Sequence, residues 1–265
     1  MAEPVGTHYG KDAVSVYRTD RSGGLFAAEV KMVVEGEALV PSYTEGDNSL
    51  VVATDSMKNF IHGCALDYEG SCREEFVEVV AEGFLERYEQ VEAITVTARE
   101  LAFAHRAGVL FQRLYDDRGI AWLRLGRDGT RDHRSGREGL HLVKLTGSSF
   151  AGFVRDEHTT LPEAFDRPLF IHLSIYWRHA DYAKRAATED VRDLVVATFE
   201  DFVSASIQQL VHEMGVRALD RFPEIEQIVF DGQNRLWDTA QTSEQAKVFT
   251  DARPPFGTIY LALER

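Results

Sequence analysis

Residues 25–35 read LFAAEVKMVVE, and the alternation within them sets the plan of the fold. Phe26, Ala28, Val30, Met32 and Val34 occupy every second position, opposite Glu29, Lys31 and Glu35, so the stretch is a strand with one covered face. Working backwards, residues 12–20 (DAVSVYRTD) are also β-type, and Asp20-Arg21-Ser22-Gly23-Gly24 between the two reads as a hairpin loop. Working forwards, the apolar spacing becomes helical. One helix is expected from about Asp55 to Tyr68. A second is expected from Ser71, where Ser71 and Glu74 form a capping-box pattern ahead of Phe76, Val77, Val80, Phe84 and Tyr88. Strands return at Ala93-Ile94-Thr95-Val96-Thr97 and from Leu110 to Leu125.

A polar stretch over residues 126–136 (GRDGTRDHRSG) interrupts the pattern, and the domain boundary is placed there, giving domains 1–134 and 135–265. The second half repeats the order. Strand-like segments run from Leu140 to Leu145 and Leu169 to Trp177, helices start at Thr188 and at about Ser204, and strands follow from Ile225 to Phe230 and Thr258 to Leu263. Glu189 and Asp190 in the first turn after Thr188 suit a helix start, and Val191, Leu194, Val195, Thr198, Phe199 and Phe202 supply its apolar stripe. The expected class is α+β, two antiparallel ββααββ units with both helices of each on one sheet face. Such units leave edge strands and the other face uncovered, which association between chains would cover.

The charge balance excludes one large class of partner. Lys plus Arg number 29 against 43 Asp plus Glu, a net charge of −14, which repels the phosphates of nucleic acids and anionic lipid surfaces. An anionic small substrate then needs a specific local cation. Only two cysteines occur, Cys64 and Cys72, too few for a disulfide framework or a zinc quartet, as suits a reducing compartment. There is no apolar run of membrane-span length, no hydrophobic signal core at the start and no peroxisomal address at the end, so a cytoplasmic protein is expected. His141 and His172 lie in strand-like segments, and His62 and His212 on helices without a His-x₃-His or Glu-x-x-His partner. No metal is expected. No Gly-rich phosphate loop follows a strand, which argues against nucleotide and flavin cofactors.

Several short motifs are spread over the chain in order. They are Tyr9-Gly10-Lys11; residues 42–49 (SYTEGDNS) running into 52–59 (VATDSMKN); residues 149–161 (SFAGFVRDEHTTL); Asp166-Arg167; and residues 204–208 (SASIQ). Taken singly, each has an ordinary reading. Lys11 suits a solvated lysine, Thr54-Asp55 a helix start, Arg167 a surface ion pair with Asp166, Gln208 a solvated helix position and Phe150 a core residue.

Together, the motifs resemble the cofactor-independent urate oxidase (uricase) family. The resemblance implies tandem tunnelling-fold (T-fold) domains in a homotetramer with active sites at subunit interfaces. It also implies oxidation of urate by O2 and water to 5-hydroxyisourate and H2O2, without a cofactor. Lys11 and Thr54 match the family's proton relay: an amine and a hydroxyl can together take and return a proton without a metal. Arg167 and Gln208 match the residues gripping opposite edges of the ring, a planar fork of donors facing a carboxamide. Phe150 matches the stacking phenylalanine. Asp55, Leu161, Ser206 and Ile207 match further pocket positions, and Asn234 the oxygen-side asparagine. The resemblance places Lys11, Thr54 and Asp55 on one subunit and Phe150, Leu161, Arg167, Ser206, Ile207 and Gln208 on its neighbour.

One position departs from the family. The relay ordinarily ends in a histidine two residues after the asparagine, and here residues 230–237 read FDGQNRLW, with Leu236 in that place and no histidine after His212. Leucine cannot carry a proton. The alternative is therefore a T-fold purine- or pterin-binding protein, or an enzyme with weak or absent uricase activity.

Overall fold

The computed structural model describes residues 4–20 and 23–265. The chain divides into two compact units, Met1–Ser135 and Gly136–Arg265. In the first, β1 (Tyr9–Thr19) and β2 (Leu25–Glu35) lead through a 3₁₀ turn at Glu37–Leu39 and the single turn α1 (Pro41–Thr44) into α2 (Thr54–Asp67) and α3 (Arg73–Arg87). β3 (Ala93–Glu100), β4 (Phe103–Ala107), β5 (Leu110–Arg113) and β6 (Arg118–Gly126) follow, and β7 (Arg131–Lys144) carries the chain across the division. The second unit continues with β8 (Leu169–His179), α4 (Thr188–Asp201), α5 (Ile207–Arg221), β9 (Ile225–Asn234), β10 (Asp238–Thr242), β11 (Lys247–Thr250) and β12 (Gly257–Glu264).

The first unit orders its strands β1-β2-β3-β6 and the second β7-β8-β9-β12. The pairs β1–β2, β2–β3, β3–β6, β8–β9 and β9–β12 are all antiparallel. In each unit a two-stranded hairpin, β4–β5 or β10–β11, is inserted between the third and fourth strands. The alternation of residues 25–35 is realised along β2, where Phe26, Ala28, Val30, Met32 and Val34 are buried and their neighbours half-exposed. β8 does the same with Leu169, Ile171, Leu173, Ile175 and Trp177.

The covered faces carry the helices. α2 packs on β1 and α3 on β3 and β6, while α5 packs on β9 and β12 with α4 beside it. Phe84 of α3 illustrates the packing: fully buried, it meets Phe60 edge-on at 5.2 Å and Tyr88 at 4.5 Å. Burying each such ring contributes about 1.5–3 kcal/mol, so the two cores hold the units without disulfides; Cys64 and Cys72 are free.

Several local expectations are corrected. The stretch from Leu110 to Leu125 is not one strand: β5 ends at Arg113 and belongs to the inserted hairpin, while β6 starts at Arg118. Apolar alternation cannot mark a strand that leaves its sheet. Residues 126–136 interrupt the pattern only as a turn. Gly126 and Thr130 close a tight turn, the Gly126 N–H donating to the Thr130 carbonyl (2.8 Å), and Arg131 already begins β7. Ser71 and Glu74 form no capping box; α3 starts at Arg73, after Cys72, whose N–H donates to the Tyr68 hydroxyl (3.0 Å). α5 begins at Ile207 with Ser206 as its N-cap, the Ser206 Oγ accepting from the Gln209 N–H (3.1 Å). In the first hairpin, Arg21 and Ser22 lie outside the described residues; the Asp20 carboxylate accepts the Gly24 N–H at 2.9 Å.

Candidate functional site

In the first unit, Lys11 lies on β1 opposite Met32 of β2, and Tyr9 opposite Val34. Directly paired residues share a face, so Tyr9 and Lys11 are on the helix-covered side. A bulge then follows: Lys11 pairs Met32 but Val14 pairs Val30, one residue extra on β1, with Ala13 at φ 56°. The Asp12 carboxylate holds it, accepting the Ala13 N–H at 2.7 Å and lying 3.3 Å from the Lys31 ammonium. Beyond the bulge, Val14 and Val16 take the buried positions. Lys11 is thus the last polar residue of the inward row before the core begins, and it is half-buried.

Thr54 is the first residue of α2 and is exposed, as is Asp55. Asp55 Oδ1 accepts from the Lys58 ammonium at 2.6 Å and Oδ2 from Asn59 Nδ2 at 3.1 Å. That bond to Lys58, then the Lys58 charge, with a smaller pull from Lys11, holds the Asp55 carboxyl below its ordinary range. The segment before Thr54 is tied to β1. The Tyr9 hydroxyl accepts from the Val52 N–H (2.9 Å) and donates to the Val52 carbonyl (3.2 Å).

In the second unit, three segments are laced by backbone. The Arg167 N–H donates to the Ser148 carbonyl (2.9 Å), Ser148 forms a parallel bridge with Ser204, and the Ser149 N–H donates to the Ser204 carbonyl (2.9 Å). Phe150 forms an antiparallel bridge with Ala164. Arg167, Phe150 and the approach to α5 therefore belong to one local framework. The Asp166 carboxylate accepts from the Thr146 hydroxyl at 2.6 Å and the Gly147 N–H at 2.8 Å, so it closes the loop rather than pairing with Arg167. Those two bonds hold its pKa down.

Arg167 has unused hydrogen-bonding capacity at one nitrogen. Its Nε is buried with no hydrogen-bond partner, its guanidinium lies 5.6 Å from the centre of the Phe150 ring, and burial pulls its pKa below the usual arginine value. Phe150 stacks on Phe153 (4.9 Å, 14°) and stands outside the second core. Leaving a charged group's nitrogen dry and unpaired costs free energy, and a ligand that supplies an acceptor offsets that cost. Gln208 is exposed in the first turn of α5; Ile207 beside it is buried in the core, so of Ile207 only the backbone is free for a ligand. Ser206 is committed to its cap. Leu161 is exposed in the loop, its carbonyl 3.4 Å from Arg155 Nη1.

Asn234 ends β9, paired with Ile171 of β8 and Gly257 of β12, and its Oδ1 is likewise buried and unpartnered. Arg235 after it turns to the other face. Its N–H donates to the Phe170 carbonyl (2.8 Å) and its guanidinium lies 3.4 Å from the Phe256 ring centre. Leu236 is 36% exposed, and Trp237 packs on Phe170 and Phe249. Nothing in the sequence marked Arg235 or the two buried hydroxyls Ser148 and Ser204. Tyr9 was visible only as a neighbour of Lys11.

The structure therefore places Lys11, Thr54 and Asp55 in one unit and Phe150, Leu161, Arg167, Ser206, Ile207, Gln208 and Asn234 in the other. Among the described residues no three His, Cys, Asp or Glu side chains are grouped to hold a metal ion, and no helix is long and apolar enough to cross a membrane.

Comparisons with known proteins identify the family. The Uricase family model matches residues 7–106 and 133–260. The Uricase of Haloferax volcanii is 38% identical, with 97% of this chain and 98% of that protein covered. The uric acid degradation bifunctional protein PucL of Bacillus subtilis is 36% identical over 97% of this chain, but this chain spans only 60% of its length. The bifunctional relative of Bacillus sp. TB-90 is spanned to 58%. Among solved structures, a hyperthermostable mutant of the urate oxidase of Bacillus sp. TB-90 superposes with a TM-score of 0.91 at 36% identity, covering 98% of this chain and 99% of that one. The α+β plan of two ββααββ units is the T-fold shared with these structures. With the family's match running through both units, the chain belongs to the uricase family.

Proposed function

We propose that this protein is a urate oxidase that converts urate, O2 and water to 5-hydroxyisourate and H2O2 as a step of purine breakdown in the cytoplasm. In this reading residues 1–134 and 135–265 are its two T-fold domains, and it needs no cofactor. The observation that carries the reading is Arg167, a half-buried residue whose Nε is buried and unpartnered and whose guanidinium lies over the ring of half-buried Phe150. A planar anion offers that fork adjacent acceptors, and an aromatic ring offers it a flat apolar wall. Gln208 meets the opposite edge of the ring, and Asp55, Leu161, Ser206 and Ile207 complete the wall.

The active site forms between subunits of a homotetramer, Lys11, Thr54 and Asp55 of one chain meeting Phe150, Arg167, Gln208 and Asn234 of the next. Lys11 and Thr54 take a proton from the bound urate. The electron-rich anion passes two electrons to O2 beside Asn234, reducing it to peroxide, and water adds to the oxidised ring. Asn234 Oδ1, buried and unpaired, supports a ligand at that end. The protein supplies orientation and fixed charge, and the substrate supplies the electrons.

The test is direct. Purified protein mixed with urate under air should bleach the near-ultraviolet band of urate and release one peroxide per urate consumed. Unchanged absorbance at high enzyme concentration, from neutral to alkaline pH, eliminates the reading. A second reading, binding without turnover, is favoured by Leu236, which stands exposed where the family carries a histidine. Tight urate binding with no oxygen uptake establishes it instead.

A further inference from the structure

We infer that Tyr9 is a positioning residue for the proton relay: by holding the backbone of Val52 it sets where Thr54 stands relative to Lys11. The inference rests on the urate oxidase reading and extends it to a residue outside the proposed pocket.

Tyr9 and Lys11 are two residues apart on β1, on the same face, opposite Val34 and Met32. Thr54 is two residues beyond Val52. One hydroxyl therefore joins the strand that carries the amine to the segment that carries the threonine. It does so twice, accepting from the Val52 N–H at 2.9 Å and donating to the Val52 carbonyl at 3.2 Å. This is the pattern a neighbouring strand offers an extended residue, supplied here by a single side chain. The Val52 side chain is buried and anchors the same residue from its other side.

Among the described residues, the start of α2 has no side-chain cap. Its N-cap is Ala53, which has no side chain able to accept from the first-turn N–H groups, and no side-chain cap bond is made. Residues 50–53 lie in no helix or strand. Gln90 Nε2 reaches the Leu50 carbonyl at 3.0 Å, but that is four residues before Thr54. Burial raises the Tyr9 pKa, so the hydroxyl keeps its proton and its donor role at alkaline pH. Proton transfer between an amine and a hydroxyl is steep in distance, and a misplacement of about 1 Å can cost about 100-fold in rate.

The test is Tyr9→Phe, which keeps the ring against the core and deletes only the hydroxyl. Expected are a fall in kcat for urate of about 10- to 100-fold with KM within about threefold, and faster amide exchange across residues 52–57. In a Thr54→Ala background the same change should cost less than about threefold, because the residue being positioned is gone. Tyr43→Phe is the control: its hydroxyl donates to the His8 carbonyl at 3.0 Å, beside Tyr9, and should leave kcat unchanged. If wild-type protein oxidises urate and Tyr9→Phe does so at the same rate, or costs as much with Thr54 as without it, the Tyr9 role is overturned and the uricase reading stands. Wild-type protein without urate turnover overturns both.

Discussion

His141 and His172 stack face to face on neighbouring strands of the second unit, their ring centres 3.7 Å apart and their planes 16° from parallel. Phe170 meets His172 edge-on at 5.1 Å. Two imidazolium ions cannot be held this close without strong repulsion. Burial first, then His141 and Arg235, lower the His172 pKa, with Asp251 opposing them.

The sign of the pH effect follows. The fold disfavours the protonated form of His172 relative to the unfolded chain, where it binds a proton near its ordinary pKa of about 6.5. Stability is therefore lost as pH falls through about 6.5, until His172 protonates in the fold as well. His172→Phe keeps a ring on His141 and removes the titration. Thermal unfolding at pH about 8 and about 5 should show a Tm loss on acidification smaller by a few degrees in the variant. An equal loss in both proteins sinks the argument.

Arg167 yields a prediction in which binding and stability part company. Its unpartnered Nε weighs on the ligand-free fold, and a bound acceptor would offset that cost. Arg167→Lys keeps a charge near Phe150 but loses the planar fork, so a planar urate analogue should bind about 10- to 100-fold more weakly. The Tm should be unchanged or higher. Calorimetry on the same samples measures both, and a marked drop in Tm would show that Arg167 is structural.

Much of the fold was legible because burial imposes a period. β2 and β8 each alternate without a break, and α4 begins at the expected Thr188. What failed were features set by tertiary context. Polar residues 131–136 break the apolar pattern, yet they belong to strand β7 because a neighbouring strand supplies its hydrogen bonds. The candidate site was legible only as motifs. Spacing cannot show that Asp166 closes its own loop, that Ile207 is core, or that Tyr9 holds Val52, since each depends on a partner distant in the chain or on a local turn.

Gly10, between Tyr9 and Lys11, has a reason the motif alone does not state. A Cβ there would overlap the Met32 carbonyl oxygen and come within 2.8 Å of the Val33 Cα, both backbone atoms of the paired strand that cannot swing away. Gly10→Ala must separate β1 from β2 beside the bulge. It should destabilise the protein by roughly 3 kcal/mol or more, read as a lower denaturant midpoint. Gly63→Ala, on α2 with open space at the Cβ position, should be neutral or mildly stabilising. Equal effects from the two substitutions would refute the close-approach argument.

Leu236 tests how much relay chemistry the missing imidazole represents. A general acid or base contributes about 10²- to 10⁴-fold where the reaction depends on it. If Lys11 and Thr54 carry the proton unaided, that contribution is already made, and a histidine added near Asn234 has little left to accelerate. Leu236 is exposed, so the larger polar ring enters without opening a cavity in either core. Leu236→His should therefore change kcat for urate by less than about tenfold while leaving Tm within about 2 °C. A gain of about 100-fold or more, with a new titration near pH 6.5, would show instead that the wild-type relay is incomplete and that Leu236 is what holds this chain below its family's rate.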